Sequence, residues 1–142
     1  MKKSITGMLS GLAIAGMLVP VATTTPALAG IGEELTIAQT QALFAYRSGR
    51  GGVGGAVIRL QYVLNCLVGP GGEGFNITPP NQNPCADAGK GAIHDAVNPA
   101  QKKLIEEAIA YTRKSMTITT TEEMQEAATN LADLLGKAKE QQ

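Results

Sequence analysis

The chain has no tryptophan, few other aromatic residues and no excess of positive charge, and these shortages exclude several classes of function. Its 142 residues include three tyrosines, two phenylalanines and one histidine, and its twelve basic residues are matched by twelve acidic ones. Such a composition supplies few rings for stacking on bases or sugars and no net attraction to nucleic acid or to an anionic membrane. We therefore predict no nucleic-acid partner and no cofactor.

The N-terminal region has the composition of a cleavable secretion signal. Lys2 and Lys3 precede an apolar stretch over residues 5–22, and Ala27-Leu28-Ala29 then supplies a small-x-small cleavage site. Glycines and a proline within the stretch weaken it as a membrane-spanning helix. We predict removal of residues 1–29, a periplasmic or secreted location, and no stable membrane insertion after cleavage.

The remaining residues 30–142 are enough for one domain with a single core and too few for two. Loss of two lysines with the signal leaves ten basic against twelve acidic residues, which is a net charge of −2. We therefore predict a single, slightly acidic domain over this range.

The two cysteines are expected to meet an oxidising compartment. Cys66 and Cys85 are therefore most simply interpreted as one disulfide. A redox pair is disfavoured, because the Cys-x-x-Cys spacing that activates a thiolate is absent. A metal site built on two thiolates would need further ligands, and His94 is the only histidine.

Apolar periodicity in the N-terminal half of the domain predicts two helices. Thr36 is positioned to cap a helix over residues 37–48, which Gly49 ends. A second helix begins within the glycines that follow and runs to about Val68. Its valines and leucines recur at steps of three and four residues, so they share one face and predict the most buried helix of the domain.

The C-terminal third predicts a helical hairpin. Asn98, Pro99 and Gln101 have the positions of an N-cap, a first-turn proline and a capping-box partner. A threonine-rich run over residues 117–121 interrupts the helical pattern, because β-branched residues that bond their own backbone favour a connection.

The last helix begins at a second predicted capping box, formed by Thr120 and Glu123. It carries one apolar stripe and is expected to end near Gly136 or one turn later. Four amphipathic helices without strand alternation predict an all-α fold. The expected architecture is a four-helix bundle or two packed helical hairpins, with a long disulfide-pinned loop between helices 2 and 3.

The loop over residues 69–90 is rich in glycine and proline and has neither a helical nor a strand period. A connection of this length in a compact domain is usually functional or disordered, and a disulfide tying its two ends favours order. We predict that this loop is the interaction surface. The candidate contact residues are Gly69, Pro70, Phe75, Asn76, Pro79 and Pro80.

Candidate chemistry outside the loop is sparse. Residues 49–54 match GxGxxG, but a helix precedes them instead of a strand, so a tight turn and close helix packing explain these glycines better than a phosphate site. His94, with Asp95 and Asp87 near it in sequence, is the candidate metal-binding group. No set of acid, base and nucleophile can be assembled, so we predict that the chain is not an enzyme.

Two segments around the cysteines resemble a family of exported bacterial helical proteins. The segments are Asn65-Cys66-Leu67-Val68-Gly69-Pro70 and Asn83-Pro84-Cys85. That family is similar to small periplasmic metal-binding helical hairpins, in which the helix before Asn-Cys-Leu carries histidines, so the resemblance implies a metal-binding ancestry. This chain has Arg59, Gln61 and Tyr62 in that stretch and no histidine.

These observations predict an exported helical binding or interaction module with a protein or small-molecule partner. The alternative is a periplasmic metal-binding bundle that uses His94 with nearby carboxylates, and an enzyme is the third class considered. Metal that stays bound through purification would favour the alternative over the binding module.

Overall fold

The computed structural model describes residues 30–142, which form five helices. In chain order these are α1 (Gly30–Gly49), α2 (Val53–Val68), α3 (Ala92–Asp95), α4 (Pro99–Ser115) and α5 (Thr121–Lys139). No strand occurs in this part of the chain, so the predicted all-α class is confirmed. The predicted signal segment, residues 1–29, lies outside the described residues.

Helix α1 packs most extensively against α2 and α5, while α4 packs against α5 and α2. On α1 the buried positions Ala38, Ala42 and Ala45 are small, so the neighbouring backbones can approach closely. Larger side chains from the other helices fill the space beside these alanines. The largest fully buried apolar side chains of the core are Leu35, Leu60, Val63, Leu67, Ile105, Met124, Leu131 and Leu135.

The start of α1 differs from the sequence prediction. The helix begins at Gly30, and Thr36 lies within it with its Oγ1 donating to the carbonyl oxygen of Gly32 at 2.7 Å. The prediction of Thr36 as an N-cap is therefore wrong. Burial of Glu34 and Leu35 explains the difference, because tertiary packing outweighs the low helix propensity of the two glycines in the first turn.

The boundaries of α4 and α5 agree more closely with the sequence. Asn98 caps α4 as predicted, and its Oδ1 accepts from the amide of Ala100 at 2.9 Å. Gln101 is not its capping-box partner, because the Gln101 side chain is buried and its Nε2 donates to the carbonyl oxygen of Ala138 at 3.0 Å. The threonine-rich run connects the two helices.

The second predicted capping box is not formed. Thr120 is the N-cap residue of α5 but makes no side-chain bond to the helix backbone. Its Oγ1 donates instead to Oε2 of Glu123 at 2.8 Å. The helix ends at Lys139, one turn beyond Gly136, as the apolar stripe predicted.

Residues 69–91 connect α2 to the short helix α3, which the sequence did not predict. The disulfide between Cys66 and Cys85 is present, as predicted, and links the last turn of α2 to the second half of this connection. None of the helices within residues 30–142 combines the length and the apolar character needed to cross a membrane.

Candidate binding surface and a buried acidic pair

The two ends of the 69–91 loop meet at their backbones. Gly69 has a φ of 66°, and a Cβ atom there would collide with the backbone of Lys90 and Gly91. Glycine is required at this position by both the positive φ and the close approach. Gly69, predicted as a contact residue, is therefore buried where the loop closes, whereas Pro70 beside it is exposed.

Buried amides on α2 hold the first half of the loop. Asn65 is fully buried, and its Nδ2 donates to the carbonyl oxygens of Asn76 and Gln82, both at 2.7 Å. Its Oδ1 accepts from the amide of Asn76 at 2.9 Å. One turn earlier, Nε2 of Gln61 donates to Oδ1 of Asn65 at 3.0 Å and to the carbonyl oxygen of Gly74 at 2.9 Å. These amides satisfy loop backbone groups that have no strand or helix partner.

Two further side chains tie the loop to the helices. Tyr62 on α2 donates its hydroxyl to the carbonyl oxygen of Pro80 at 3.0 Å. Arg113 on α4 donates Nη2 to the carbonyl oxygen of Glu73 at 2.6 Å, and the same nitrogen lies 3.6 Å from the Glu73 carboxylate. The loop backbone is thus fixed from two helices as well as by the disulfide.

The tip of the loop, residues 77–80, is exposed and carries three apolar side chains. Ile77 is 57% exposed, and Pro79 and Pro80 are exposed and joined by a cis peptide bond. Of the other predicted contact residues, Phe75 is half-buried, and Asn76 is exposed while its backbone is held by Asn65. The loop tip therefore presents apolar side chains on a fixed backbone.

A set of arginine and aromatic side chains on α1 and α2 adjoins the loop tip. Arg59 lies over the rings of both Phe44 and Tyr62, at 5.4 Å from each centroid. Arg47 lies 5.7 Å from the Phe44 centroid on α1. Such cation–π contacts hold a guanidinium in place, and Nη1 of Arg59 also donates to Oε1 of Gln41 at 3.1 Å. We call this surface the arginine–aromatic face; it comprises Phe44, Arg47, Arg59 and Tyr62.

The segment of chain that carries the arginine–aromatic face has charge of one sign. Residues 35–72 contain three arginines and no acidic residue. Within residues 30–142 none of these arginines forms an ion pair, and the ion pair found in this part of the chain joins Arg113 to Glu73. The face is therefore positive although residues 30–142 together carry a net charge of −2.

The predicted metal-binding residues are only partly brought together. His94 and Asp95 line an open cavity of about 560 Å³ with Pro70, Gly89 and Lys90. Asp87 is exposed and does not line this cavity. No three His, Cys, Asp or Glu side chains within residues 30–142 are grouped so that they could hold a metal ion.

Next to this cavity lies an acidic residue that sequence reasoning missed. Glu34 on α1 is fully buried, and its Oε1 accepts from the amide of Gly91 at 2.7 Å. Its Oε2 is buried without a hydrogen-bond partner. Burial and the neighbouring Asp95 carboxylate raise the pKa of Glu34 from its ordinary value of 4.5 to about 7, against the opposing effect of the Gly91 amide.

A second cavity of about 310 Å³ lies between α4 and α5 near their connection. Tyr111, Ser115 and Asn130 line it together with Glu123 and Glu126. Its hydroxyl and amide groups already bond within the protein, as in the contact from Asn130 Nδ2 to the Tyr111 hydroxyl at 3.3 Å.

Comparisons with known proteins give no match for this chain, whether with family models, with curated proteins or with solved structures. The function must therefore be inferred from the chemistry of these surfaces. Two features carry such an inference: the loop tip with its adjoining arginine–aromatic face, and the buried Glu34.

Proposed function

We propose that this chain is an exported binding module whose four long helices act as a four-helix-bundle scaffold for a protein-binding loop. The loop tip supplies apolar contacts and the arginine–aromatic face supplies positive charge. Rigid scaffolds that display irregular loops are a common arrangement for recognition sites. The periplasmic or secreted location belongs to this proposal and is supported by the disulfide.

The contact between Tyr62 and Pro80 carries the proposal. It places the exposed loop tip beside the Tyr62 ring that Arg59 covers, so the apolar loop tip and the positive face are neighbours. Because the loop backbone is already fixed, little conformational entropy is lost when a partner binds the loop tip. A preformed surface of this kind favours binding.

The chemistry of the surface favours a protein partner with an acidic segment. Tyrosine, phenylalanine and arginine are enriched at the centres of protein interfaces, whereas lysine is depleted. The arginine–aromatic face follows this pattern, because its cations are arginines and every lysine within residues 30–142 lies between Lys90 and Lys139. Unpaired guanidinium groups would form bidentate contacts with carboxylates of the partner.

The alternative function is metal binding, which the resemblance to periplasmic metal-binding hairpins implies. His94 and Asp95 share a cavity, and a metal ion there would need further ligands from water or from a second protein. Tight one-to-one binding of copper or zinc that His94→Ala abolishes would replace the proposed function with this alternative.

The proposed function is tested by site-specific photo-crosslinking from the loop tip. A photoreactive amino acid at Ile77, introduced into the full chain in the native host, should give one discrete crosslinked partner that can be identified and purified. With that partner, Ile77→Asp should weaken binding by about tenfold or more, because it places a charge in an apolar contact.

The matched control is Val97→Asp, since Val97 is an exposed apolar residue outside the proposed surface and is 95% exposed. This variant should bind as tightly as the natural chain. Equal weakening by both substitutions, or the absence of a discrete partner crosslinked at Ile77, would contradict the proposed function.

A further inference from the structure

The end of the 69–91 loop lies directly over two carboxyl groups. Glu34 of α1 accepts from the amide of Gly91 at 2.7 Å, and Oδ2 of Asp95 in α3 accepts from the amide of Lys90 at 2.9 Å. Consecutive backbone amides are therefore held by carboxyl groups from two different helices. The Cys85 sulfur is also close to this point, 3.8 Å from the carbonyl oxygen of Glu34.

The space above the two carboxyl groups is filled by backbone. A Cβ atom at Gly89 would collide with both Glu34 and Asp95, so the chain passes over them with no room for a side chain. Because this segment lies against the Glu34 carboxyl group, movement of residues 89–91 away from it would expose that group to water. The position of the loop end and the solvation of Glu34 are thus coupled.

Within residues 30–142 neither of the two carboxyl groups forms an ion pair with a lysine, arginine or histidine. Glu33, the acidic neighbour on α1, is exposed, and so are the side chains of Lys90 and His94. The titratable side chains on the helices that pack against α1 are Arg59 and Tyr62 on α2, His94 and Asp95 on α3, and Glu122, Glu123, Glu126, Asp133, Lys137 and Lys139 on α5. Asp95 is the one whose charge acts on Glu34.

The protonation state of Glu34 decides whether this arrangement is favourable. As a neutral acid, Glu34 adds no second negative charge beside Asp95, while its Oε1 still accepts from the amide of Gly91. As a carboxylate, it would be a second negative charge beside Asp95 with an unpartnered buried oxygen. The closed structure therefore favours the neutral form of Glu34 over its ionised form.

We propose that Glu34 acts as a protonation switch. Its neutral carboxyl group holds residues 89–91 and α3 against α1, and its ionisation releases them. The same segment contacts Gly69, so its release also opens the closed base of the loop. The switch is a property of this chain alone and holds whether or not the proposed partner exists.

The direction of the pH effect follows from the two pKa values of Glu34. In the closed state the pKa is about 7, against its ordinary value of 4.5, which it regains once the released segment exposes it to water. The contribution of Glu34 to the closed state, in which residues 89–91 pack on α1, is therefore complete below pH 4.5. It is lost progressively as the pH rises to 7. Above pH 7 no further change is expected, because both states are then ionised. Over this window the opening equilibrium should shift toward the released form on the order of 100-fold.

The experiment is a pH titration of the chain from Gly30 to Gln142, monitored by NMR. The carbon-13 shift of the Glu34 carboxyl group should report a pKa near 7. Hydrogen exchange of the Gly91 amide, corrected for the intrinsic pH dependence of exchange, should reveal the shift in opening. An amide in the middle of α4 serves as an internal reference, since its protection should not follow Glu34.

Two variants isolate the switch from general stability. Glu34→Gln mimics the neutral acid, so protection of Gly91 should become independent of pH between 4.5 and 8. Glu33→Gln is the matched control, because the same substitution at the exposed neighbouring position should keep the natural pH dependence. If Glu34→Gln does not fold, Asp95→Asn provides the second test, since removal of the neighbouring charge should lower the pKa of Glu34.

The proposal would be overturned by a Glu34 pKa near its ordinary value, or by Gly91 protection that stays constant across the titration in the natural chain. The proposal would equally be overturned if protection of the Gly91 amide still depended on pH in Glu34→Gln. None of these measurements uses the binding partner, so their failure leaves the proposed function untouched, and failure of the crosslinking experiment leaves the switch untouched.

Discussion

The hairpin formed by α4 and α5 and the region formed by the 69–91 loop with α3 are held together by different forces. In the hairpin, apolar side chains recur at helical spacing and meet the core, as Ile105 and Leu131 do. In the loop region, the bonds run from buried amides and carboxyl groups to backbone atoms that are distant in sequence, such as those from Asn65 to Gln82 and from Glu34 to Gly91.

This comparison shows where stability and adaptability lie in the molecule. Apolar burial is non-directional and tolerates small shifts of the helices, whereas each hydrogen bond needs one partner at one position. Loss of one of the buried hydrogen bonds to the loop should therefore open the loop while leaving the hairpin in place. Loss of a core side chain should weaken the whole domain.

The largest effect is expected from a core substitution in the hairpin. Leu131 is fully buried in α5, and Leu131→Ala should lower the free energy of unfolding by about 3 to 4 kcal/mol, because it removes apolar burial and leaves a cavity. Chemical denaturation followed by circular dichroism measures this loss. Leu134→Ala, at a half-buried position three residues away, should cost about 1 kcal/mol. Equal costs at both positions would contradict the assignment of the core face.

The disulfide should have a slightly smaller effect that is centred on the loop. Cys66→Ser should lower the free energy of unfolding by about 3 kcal/mol, because a loop with its ends 19 residues apart regains its entropy in the unfolded chain. Helical content should be largely kept, and limited proteolysis should cut first between Gly69 and Pro84. The double variant with Cys85→Ser should behave alike, which separates loss of the bond from effects of a free thiol. Collapse of the helical signal would show that the helices depend on the bond.

The smallest of these stability effects is expected from the buried amide. Asn65→Ala should lower the free energy of unfolding by about 2 kcal/mol, because it removes bonds to Asn76 and Gln82 that water replaces once the loop opens. Hydrogen exchange of the Asn76 amide should rise while that of α5 stays unchanged. Asn130→Ala, at an exposed asparagine on α5, is the control and should change neither. Unchanged protection of Asn76 would mean that the disulfide alone orders the loop.

The sequence predicted the hairpin well because its signals are local. The Asn98 cap, the threonine connection and the apolar stripe of α5 each depend on residues within one or two helical turns. The same kind of reasoning failed at Thr36 and Gln101, whose side chains could act locally but bond elsewhere in the structure. A capping pattern indicates what a side chain can do, and packing decides which bond it makes.

The candidate sites were harder to predict. The disulfide between Cys66 and Cys85 could be predicted, because the sequence contains no other cysteine. Glu34 gave no comparable signal: it follows Glu33 at the start of a helix, and nothing in the neighbouring residues distinguishes the buried glutamate from the exposed one. The three arginines are visible in the sequence, but the stacking of Arg59 on Phe44 joins α2 to α1 and depends on the contact between these two helices.

The sequence by itself determined the helical class, the disulfide and most helix boundaries, because hydrophobic period, capping residues and a single possible thiol pair depend on near neighbours or on composition. Only the tertiary structure decided which polar groups are buried and what they bond. Asn65 meets the loop, and Glu34 meets Asp95 under Gly89, because helices and loop segments far apart in sequence are brought together by burial of the shared core. No local sequence pattern indicates such contacts, because the folded backbone determines which residues meet and their spacing along the chain does not.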